Sequence, residues 1–267
     1  MSANVLEGAE ELLIDAVTAL DEVAVRDYIV IGGWCPYLRN TSSISHPGTL
    51  DVDILFRDGG RPGALATAIT GLRSKGFVLL AKHSFQLLSE KVIKGERLIY
   101  NIDLLHPLMS DSEKDRGMFV DHLELDIPLD HEERFLKKAR SIVQPNSSVL
   151  FDKHLFSKFT VKTATFNLVD FTGMFITKMD SCQKPKRERD ALDLYIAVKS
   201  DQIDFEVINR LRAENPRIKK SFDRLLDYLR DSREIFENNV AEFVTLTESP
   251  AIALRAAMLA DIQKPYR

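Results

Sequence analysis

Two aspartates stand inside an apolar strand. In Leu50-Asp51-Val52-Asp53-Ile54-Leu55-Phe56, alternate side chains point to opposite faces. Asp51 and Asp53 therefore share one face, and Val52 and Ile54 share the other. Two like charges about 7 Å apart on one face repel, and burial adds to the cost. A divalent cation removes that penalty. Magnesium prefers hard oxygen ligands and usually keeps one or two protein carboxylates alongside phosphate oxygens. A third acid, Asp103, lies within a later apolar run, LIYNIDLLHP. Asp51, Asp53 and Asp103 are thus the candidate catalytic and metal-binding set, with Mg2+ or Mn2+ as the cation.

A double glycine precedes them. Gly32-Gly33 closes the apolar run YIVI. Such a turn lets backbone N–H groups approach an anion, and a short helix after it would aim its N-terminus at the same anion. The anion would be a nucleoside triphosphate whose oxygens the metal also holds. Catalysis would then rest on positioning and charge neutralisation. Alone, a DxD is usually a pair of surface loop acids, and a Gly-Gly is usually a tight turn. Their conjunction with a third acidic strand points to chemistry, because buried charges need partners.

A second cluster is basic. Lys178, Lys184, Lys186, Arg187 and Arg189 fall between positions 178 and 189, around a break at QKPK. These cations suit a triphosphate or an RNA backbone. They suit equally a solvated connection between helices, with Arg189, Asp190 and Asp193 in local ion pairs. For Arg189 and Asp190 a buried structural pair explains the residues as well as a ligand does.

The elements that must position these groups follow from periodicity. Residues 5–22 carry apolar groups at helical spacing. YIVIGG reads as a buried strand ending in a turn, CPYLR as a short helix or turn, and NTSSISHPGT as a polar loop. LDVDILF is the second strand, and GRPGALATAITGLRSKG a helix between glycine breaks. FVLLA, SFQLLS and ERLIYNIDLLHP read as strands, the last two joined by a hairpin around EKVIKG. Between 112 and 147 only RFLKKARSIV has helical character. KFTVKTATFNLVD has strand character, and the chain beyond it turns helical. The fold class is mixed α/β (α+β), a mixed sheet flanked by helices. The first domain spans 1–167 and a helical C-terminal domain spans 168–267.

Composition bounds the rest. The chain has 267 residues, 45% of them apolar and 28% charged, with a net charge of −4. That excludes a uniformly basic nucleic-acid-binding surface while leaving local patches open. Two cysteines without CxxC spacing exclude a zinc ribbon and a disulfide scaffold, and fit a reducing cytoplasm. No apolar run approaches the roughly 20 residues of a membrane span, so no membrane association is expected. The N-terminus lacks the basic n-region of a signal peptide. His46, His83, His106, His122, His131 and His154 show no metal-ligand spacing. His106 follows Asp103 closely enough to raise the question of a role, though a strand-end histidine is more often structural. Trp34 reads as core packing.

The Gly-Gly turn, GTLDVDILF and NIDLL together resemble the nucleotidyltransferase superfamily related to DNA polymerase β. The resemblance implies a nucleotidyltransferase-like sheet, Asp51, Asp53 and Asp103 as the metal triad, and Gly32 and Gly33 as the nucleotide-phosphate turn. Residues 34–50 separate Gly33 from Asp51, a longer interval than that superfamily keeps, and the excess lies in SSISHPG. TKMDSCQKPKRERDALDLY resembles a segment of the AbiEii/MenT-type nucleotidyltransferases, the toxin halves of bacterial toxin–antitoxin systems. It implies Lys178 as the phosphate-contacting lysine, and Lys186, Arg189 and Asp190 on further nucleotide-binding positions. The implied activity moves a nucleoside monophosphate from the triphosphate to an acceptor hydroxyl and releases pyrophosphate. Asp103 would help deprotonate that hydroxyl. The resemblance also implies a tRNA 3′ end as acceptor and a cognate antitoxin as partner. A small-molecule or protein acceptor, or a nucleotide-binding regulator without turnover, are the alternatives.

Overall fold

The computed structural model describes residues 3–57, 64–79, 85–108, 118–122 and 138–260, with the backbone alone at 64, 118–122 and 138–140. The chain divides into two compact units, Met1–Trp34 with Gly48–Val169, and Cys35–Pro47 with Asp170–Arg267. The segment 35–47, placed by linear reading in the first domain, groups with the second unit. Its reason is local: Gln202 Nε2 donates to Thr41 Oγ1 at 2.9 Å and His46 meets Asp193.

The first unit is a mixed sheet with helices on it. Helix α1 (Ala3–Glu22) buries Leu12, Leu13, Ala16, Val17 and Leu20, a stripe at helical spacing. Each of the leucines and Val17 is worth about 1.5–3 kcal/mol of transfer from water. Strand β1 (Tyr28–Ile31) is buried on both faces, as its unbroken apolar run requires. Helix α2 (Trp34–Arg39) follows, then β2 (Asp51–Phe56), α3 (Ala64–Ser74), β3 (Val78–Leu79), β4 (Gln86–Ile93) and β5 (Glu96–Pro107). Strands β6 (Met118–His122) and β7 (Lys138–Gln144), helix α4 (Ser148–Asp152), and strands β8 (Phe156–Val161) and β9 (Ala164–Val169) complete it. The sheet runs β3-β4-β5-β2-β1-β9-β8, and β7 joins the end of β5 and carries β6. Strands β2 and β5 are parallel, as are β1 and β9, and β5 and β7. The remaining pairs are antiparallel.

Turn chemistry sets the register around the acids. Lys94 and Gly95 join β4 to β5 with φ of 50° and 84°. Two positive φ values suit the twist of a two-residue hairpin. Ile93 then faces Glu96, and the same count down the ladder brings Gln86 opposite Asp103.

The stretch 138–144 corrects one expectation. RFLKKARSIV has helical character in isolation, yet 138–144 is strand β7, parallel to the end of β5 through Leu105–Ile142, His106–Val143 and Pro107–Gln144. Strand β4 stops pairing at Asp103, so the last residues of β5 take another partner. Tertiary pairing overrides local propensity here. Residues 134–137 of that run lie outside the described residues, as do 80–84, which hold the end of FVLLA and the start of SFQLLS.

The second unit is helical. It holds α5 (Phe171–Lys178), a 3₁₀ turn at Ser181–Gln183, α6 (Glu188–Lys199), α7 (Phe205–Glu214), α8 (Pro216–Asp231), α9 (Arg233–Ala241) and α10 (Pro250–Ala260). Asp170, Asp204 and Asn215 cap α5, α7 and α8 with their side-chain oxygens. The run IKKSFDRLLDYLRDSREIFENN, one helix by pattern, breaks at Ser232 into α8 and α9. Phe175 packs edge-on against Phe205 at 5.5 Å, and Arg212 lies 3.9 Å over the Phe222 ring. No helix among the described residues is long and apolar enough to cross a membrane.

Gly71 is the contact point of α3 with α1. A Cβ there would sit 2.7 Å from Val23 Cγ2 and 2.8 Å from the Ala19 carbonyl oxygen, which cannot swing aside. Gly71→Ala should lower unfolding free energy by about 1–3 kcal/mol in urea titration. An unchanged midpoint would mean that the two helices separate freely.

Candidate active site

The three aspartates occupy a grid on one sheet face. Asp53 stands directly opposite Asp103 across the parallel β2–β5 pair, and Asp51 opposite Asn101. Gln86 extends the first row from β4. Val52, Ile54, Ile102 and Leu104 point the other way and are fully buried. Asp51, Asp53, Asn101 and Asp103 are half-buried. The alternation read from sequence is therefore the arrangement found: three carboxylates share a face, and two of them are cross-strand neighbours.

Neutral donors fix two of these carboxylates. Asp103 Oδ1 accepts from Gln86 Nε2 at 2.8 Å and from Asn101 Nδ2 at 2.9 Å. Asp51 Oδ1 accepts from Thr49 Oγ1 at 2.7 Å. Trp34 is buried and donates its indole N–H to the Asp51 carbonyl at 2.9 Å, which ties the start of β2 to the start of α2.

The double glycine makes room for this arrangement. Gly32 has φ of 73°, a conformation L side chains rarely adopt. A Cβ on it would lie 2.0 Å from Asp53 Oδ2, so the carboxylate fills the space that any other residue would need. A Cβ on Gly33 would lie 2.8 Å from Thr49 Oγ1. The glycines thus admit the Asp53 carboxylate and the hydroxyl that holds Asp51. Helix α2 after them has six residues, too short for its dipole to contribute much to anion binding.

Among the described residues, no group of three or more His, Cys, Asp or Glu gathers closely enough to hold a metal ion by itself. Magnesium does not require such a cage, since one or two carboxylates and substrate phosphate oxygens suffice. The Asp53–Asp103 neighbours, with the Asp53 carboxylate seated in a glycine-lined recess, fit that partial donor set. Asp51 lies two residues along the same face.

The basic block belongs to the second unit. Lys178 ends α5 and is buried, with its ammonium 2.5 Å from Asp190 Oδ1 and 2.5 Å from Asp193 Oδ2. Asp190 and Asp193 are three apart on α6, so they share a helix face. The His46 Nε2 meets Asp193 Oδ1 at 2.9 Å, with both side chains buried. Burial alone would depress the Lys178 ammonium, but the two carboxylates more than offset this and its pKa is raised. Burial likewise pushes the Asp193 carboxyl up, and Lys178 and His46 bring it below its ordinary value. Lys178 makes ion pairs with both Asp190 and Asp193. Lys178 is expected from sequence to face a triphosphate, and its charge is here engaged by two acids of its own chain. Lys184, Lys186 and Arg187 are exposed, and Arg189 is half-buried.

His106 is buried on the face of β5 opposite Asp103, where its Nδ1 meets Ser141 Oγ at 2.9 Å. It belongs to the β5–β7 seam. His154 stacks on Phe156 at 4.6 Å. His83 and His131 lie outside the described residues, as does the side chain of His122. Sequence reasoning passed over Thr49, Gln86, Asn101 and His46. Thr49 and Asn101 stand two residues from Asp51 and Asp103, so strand alternation could have found them. Gln86 follows from counting back from the Lys94-Gly95 turn. His46 lies 147 residues from Asp193 and carries no local signal.

Compared with family models, curated proteins and solved structures, the chain matches none.

Two outcomes follow from this geometry. Gly32→Ala should displace the Asp53 carboxylate and strain the turn, costing about 1–3 kcal/mol in urea unfolding. A variant as stable as the parent would show that the recess is not tight. For the ion cluster, the lowered Asp193 contributes stability above about pH 3.9 that is lost as pH falls through its folded value. The raised Lys178 contributes below about pH 10.4 and is lost as pH rises through its folded value. Lys178→Met should therefore cost about 3–5 kcal/mol at neutral pH, because Asp190 loses its ammonium partner and Asp193 keeps only His46. The difference from the parent should narrow as pH falls, because without Lys178 the Asp193 carboxyl protonates at a higher pH than in the parent. A pH-independent loss would point to packing alone.

Proposed function

We propose that this chain is a metal-dependent nucleotidyltransferase of the type related to DNA polymerase β. The observation that carries the reading is the pairing of Asp53 with Asp103 on one sheet face, with Asp51 beside them and the Asp53 carboxylate seated against Gly32. Asp51, Asp53 and Asp103 would hold Mg2+ or Mn2+, which neutralises the triphosphate and the leaving pyrophosphate when bound. The chain's own groups do the rest. Thr49 holds Asp51, and Gln86 with Asn101 holds Asp103. An acceptor hydroxyl oxygen bonds to the α-phosphorus, and the bond from that phosphorus to the bridging oxygen of the β-phosphate breaks. The hydroxyl proton passes to the Asp103 carboxylate, and pyrophosphate leaves.

Gly32 and Gly33 support close approach of the triphosphate to the backbone. Lys184, Lys186 and Arg187 are exposed on the turn before α6, whereas the charge of Lys178 is engaged by Asp190 and Asp193. The resemblance of the sequence to AbiEii/MenT-type toxins supports a tRNA 3′ end as acceptor and a cognate antitoxin as partner. This last step rests on analogy.

The test is a transfer assay with each α-labelled nucleoside triphosphate, Mg2+ or Mn2+, and a bacterial lysate fraction. The parent should label an acceptor, and Asp53→Asn should lose transfer by at least about a hundredfold while keeping its unfolding midpoint. Label in small RNA supports the tRNA acceptor, and label in protein or in a small molecule replaces it. Full activity in Asp53→Asn would sink the metal-triad assignment.

A further inference from the structure

Asp103 is held by more groups than its place in the strand requires. Its backbone is already fixed between two ladders, with Asp53 on one side and Gln86 on the other. The side chain is fixed again: Gln86 Nε2 and Asn101 Nδ2 both donate to the single oxygen Oδ1, at 2.8 and 2.9 Å. Two donors converging on one oxygen from different strands define the plane of the carboxylate. Each donor restrains rotation about the Cβ–Cγ bond, and the two together restrain it more than either does. The donors come from perpendicular directions of the sheet, Gln86 across the ladder and Asn101 along β5.

Both donors are uncharged. A lysine or arginine in either place would carry its own charge to Asp103 and compete with a cation for it. An aspartate or glutamate would add a fourth negative charge to the grid. An amide orients a carboxylate without neutralising it. Outer partners of this kind orient metal ligands, and losing them usually costs about 10–100-fold in metal affinity or activity.

We propose that Gln86 and Asn101 are positioning residues, which lock the Asp103 carboxylate in the orientation that a divalent cation needs beside Asp53. This rests on the metal-dependent reading above. It predicts that the amides matter through cation binding and not through the fold.

The experiment uses the full chain and Mn2+ as probe, with binding followed by the loss of the free-ion electron paramagnetic resonance signal. Gln86→Met keeps length and removes the donor, and Asn101→Ala removes the other. Each should raise the Mn2+ dissociation constant about tenfold, with an unfolding midpoint close to that of the parent. Gln86→Glu keeps the shape and reverses the electrostatics. It should bind Mn2+ at least as tightly as Gln86→Met, and its transfer rate should still be reduced because the donor is gone; a parent-like transfer rate would count against the positioning role. Glu90→Gln, on the same strand and face but paired with Arg97, should leave Mn2+ binding unchanged. If the parent binds Mn2+ and both Gln86→Met and Asn101→Ala bind it equally well, the positioning role is wrong and the triad stands. If the parent binds no Mn2+ even with a nucleoside triphosphate present, the metal reading fails and takes this inference with it.

Discussion

Carboxylates that share a face must be reconciled with one another, and this constraint shapes both units. In the first unit the pleat of β2 sets Asp51 and Asp53 on one side, and the parallel register of β5 adds Asp103 beside them. The apolar residues between them cannot turn over without exposing Val52, Ile54, Ile102 and Leu104, all completely buried against α1 and its neighbours. Burial of one face therefore enforces the crowding of charge on the other. A one-residue slip would relieve the crowding only by placing the acids in the core.

The second unit meets the same difficulty on a helix. Asp190 and Asp193 fall on one face of α6, and Lys178 is inserted between them from α5. His46, arriving from the 35–47 segment, completes the set at Asp193. Here the answer is internal, and the cluster is closed off from solvent. Such a group is a poor choice for recognising a ligand, since any phosphate would have to displace a carboxylate already in place. It is a good choice for fixing where a loop and two helices meet, because removing one member strands the others.

How much of this could be read from the chain depends on how local the cause is. Strand alternation needs only adjacent residues, so the common face of Asp51 and Asp53 was legible; the same rule puts His106 on the face opposite Asp103, although its nearness along the chain raises the question of a role. The space left by Gly32 was legible in type but not in target: a double glycine signals close approach, yet nothing in IVIGGW names Asp53 as the group that approaches. Strand β7 was not legible, because Lys138–Gln144 owes its extended state to the open end of β5 and not to its own composition. The partners of Lys178 were half legible. The i, i+3 spacing of Asp190 and Asp193 declares that they need a cation, and only the packing of α5 on α6 chooses which one.

The turn at Lys94-Gly95 has a consequence of its own. It is an exposed tip, nine residues along the chain from Asp103, and a reader looking for tolerant positions would choose it first. Yet the hairpin works as a ruler whose zero mark is that turn. Lengthening the tip by one residue would leave the acids of β2 in place, yet it would move Gln86 off its mark, bring a residue of the opposite face toward Asp103 and turn the buried Leu87 out of the core. The tip is therefore unforgiving of insertions, and its positive φ at Lys94 and Gly95 narrows the substitutions it accepts as well. Relatives of this protein should keep both the length of that hairpin and the glycine at its second turn position.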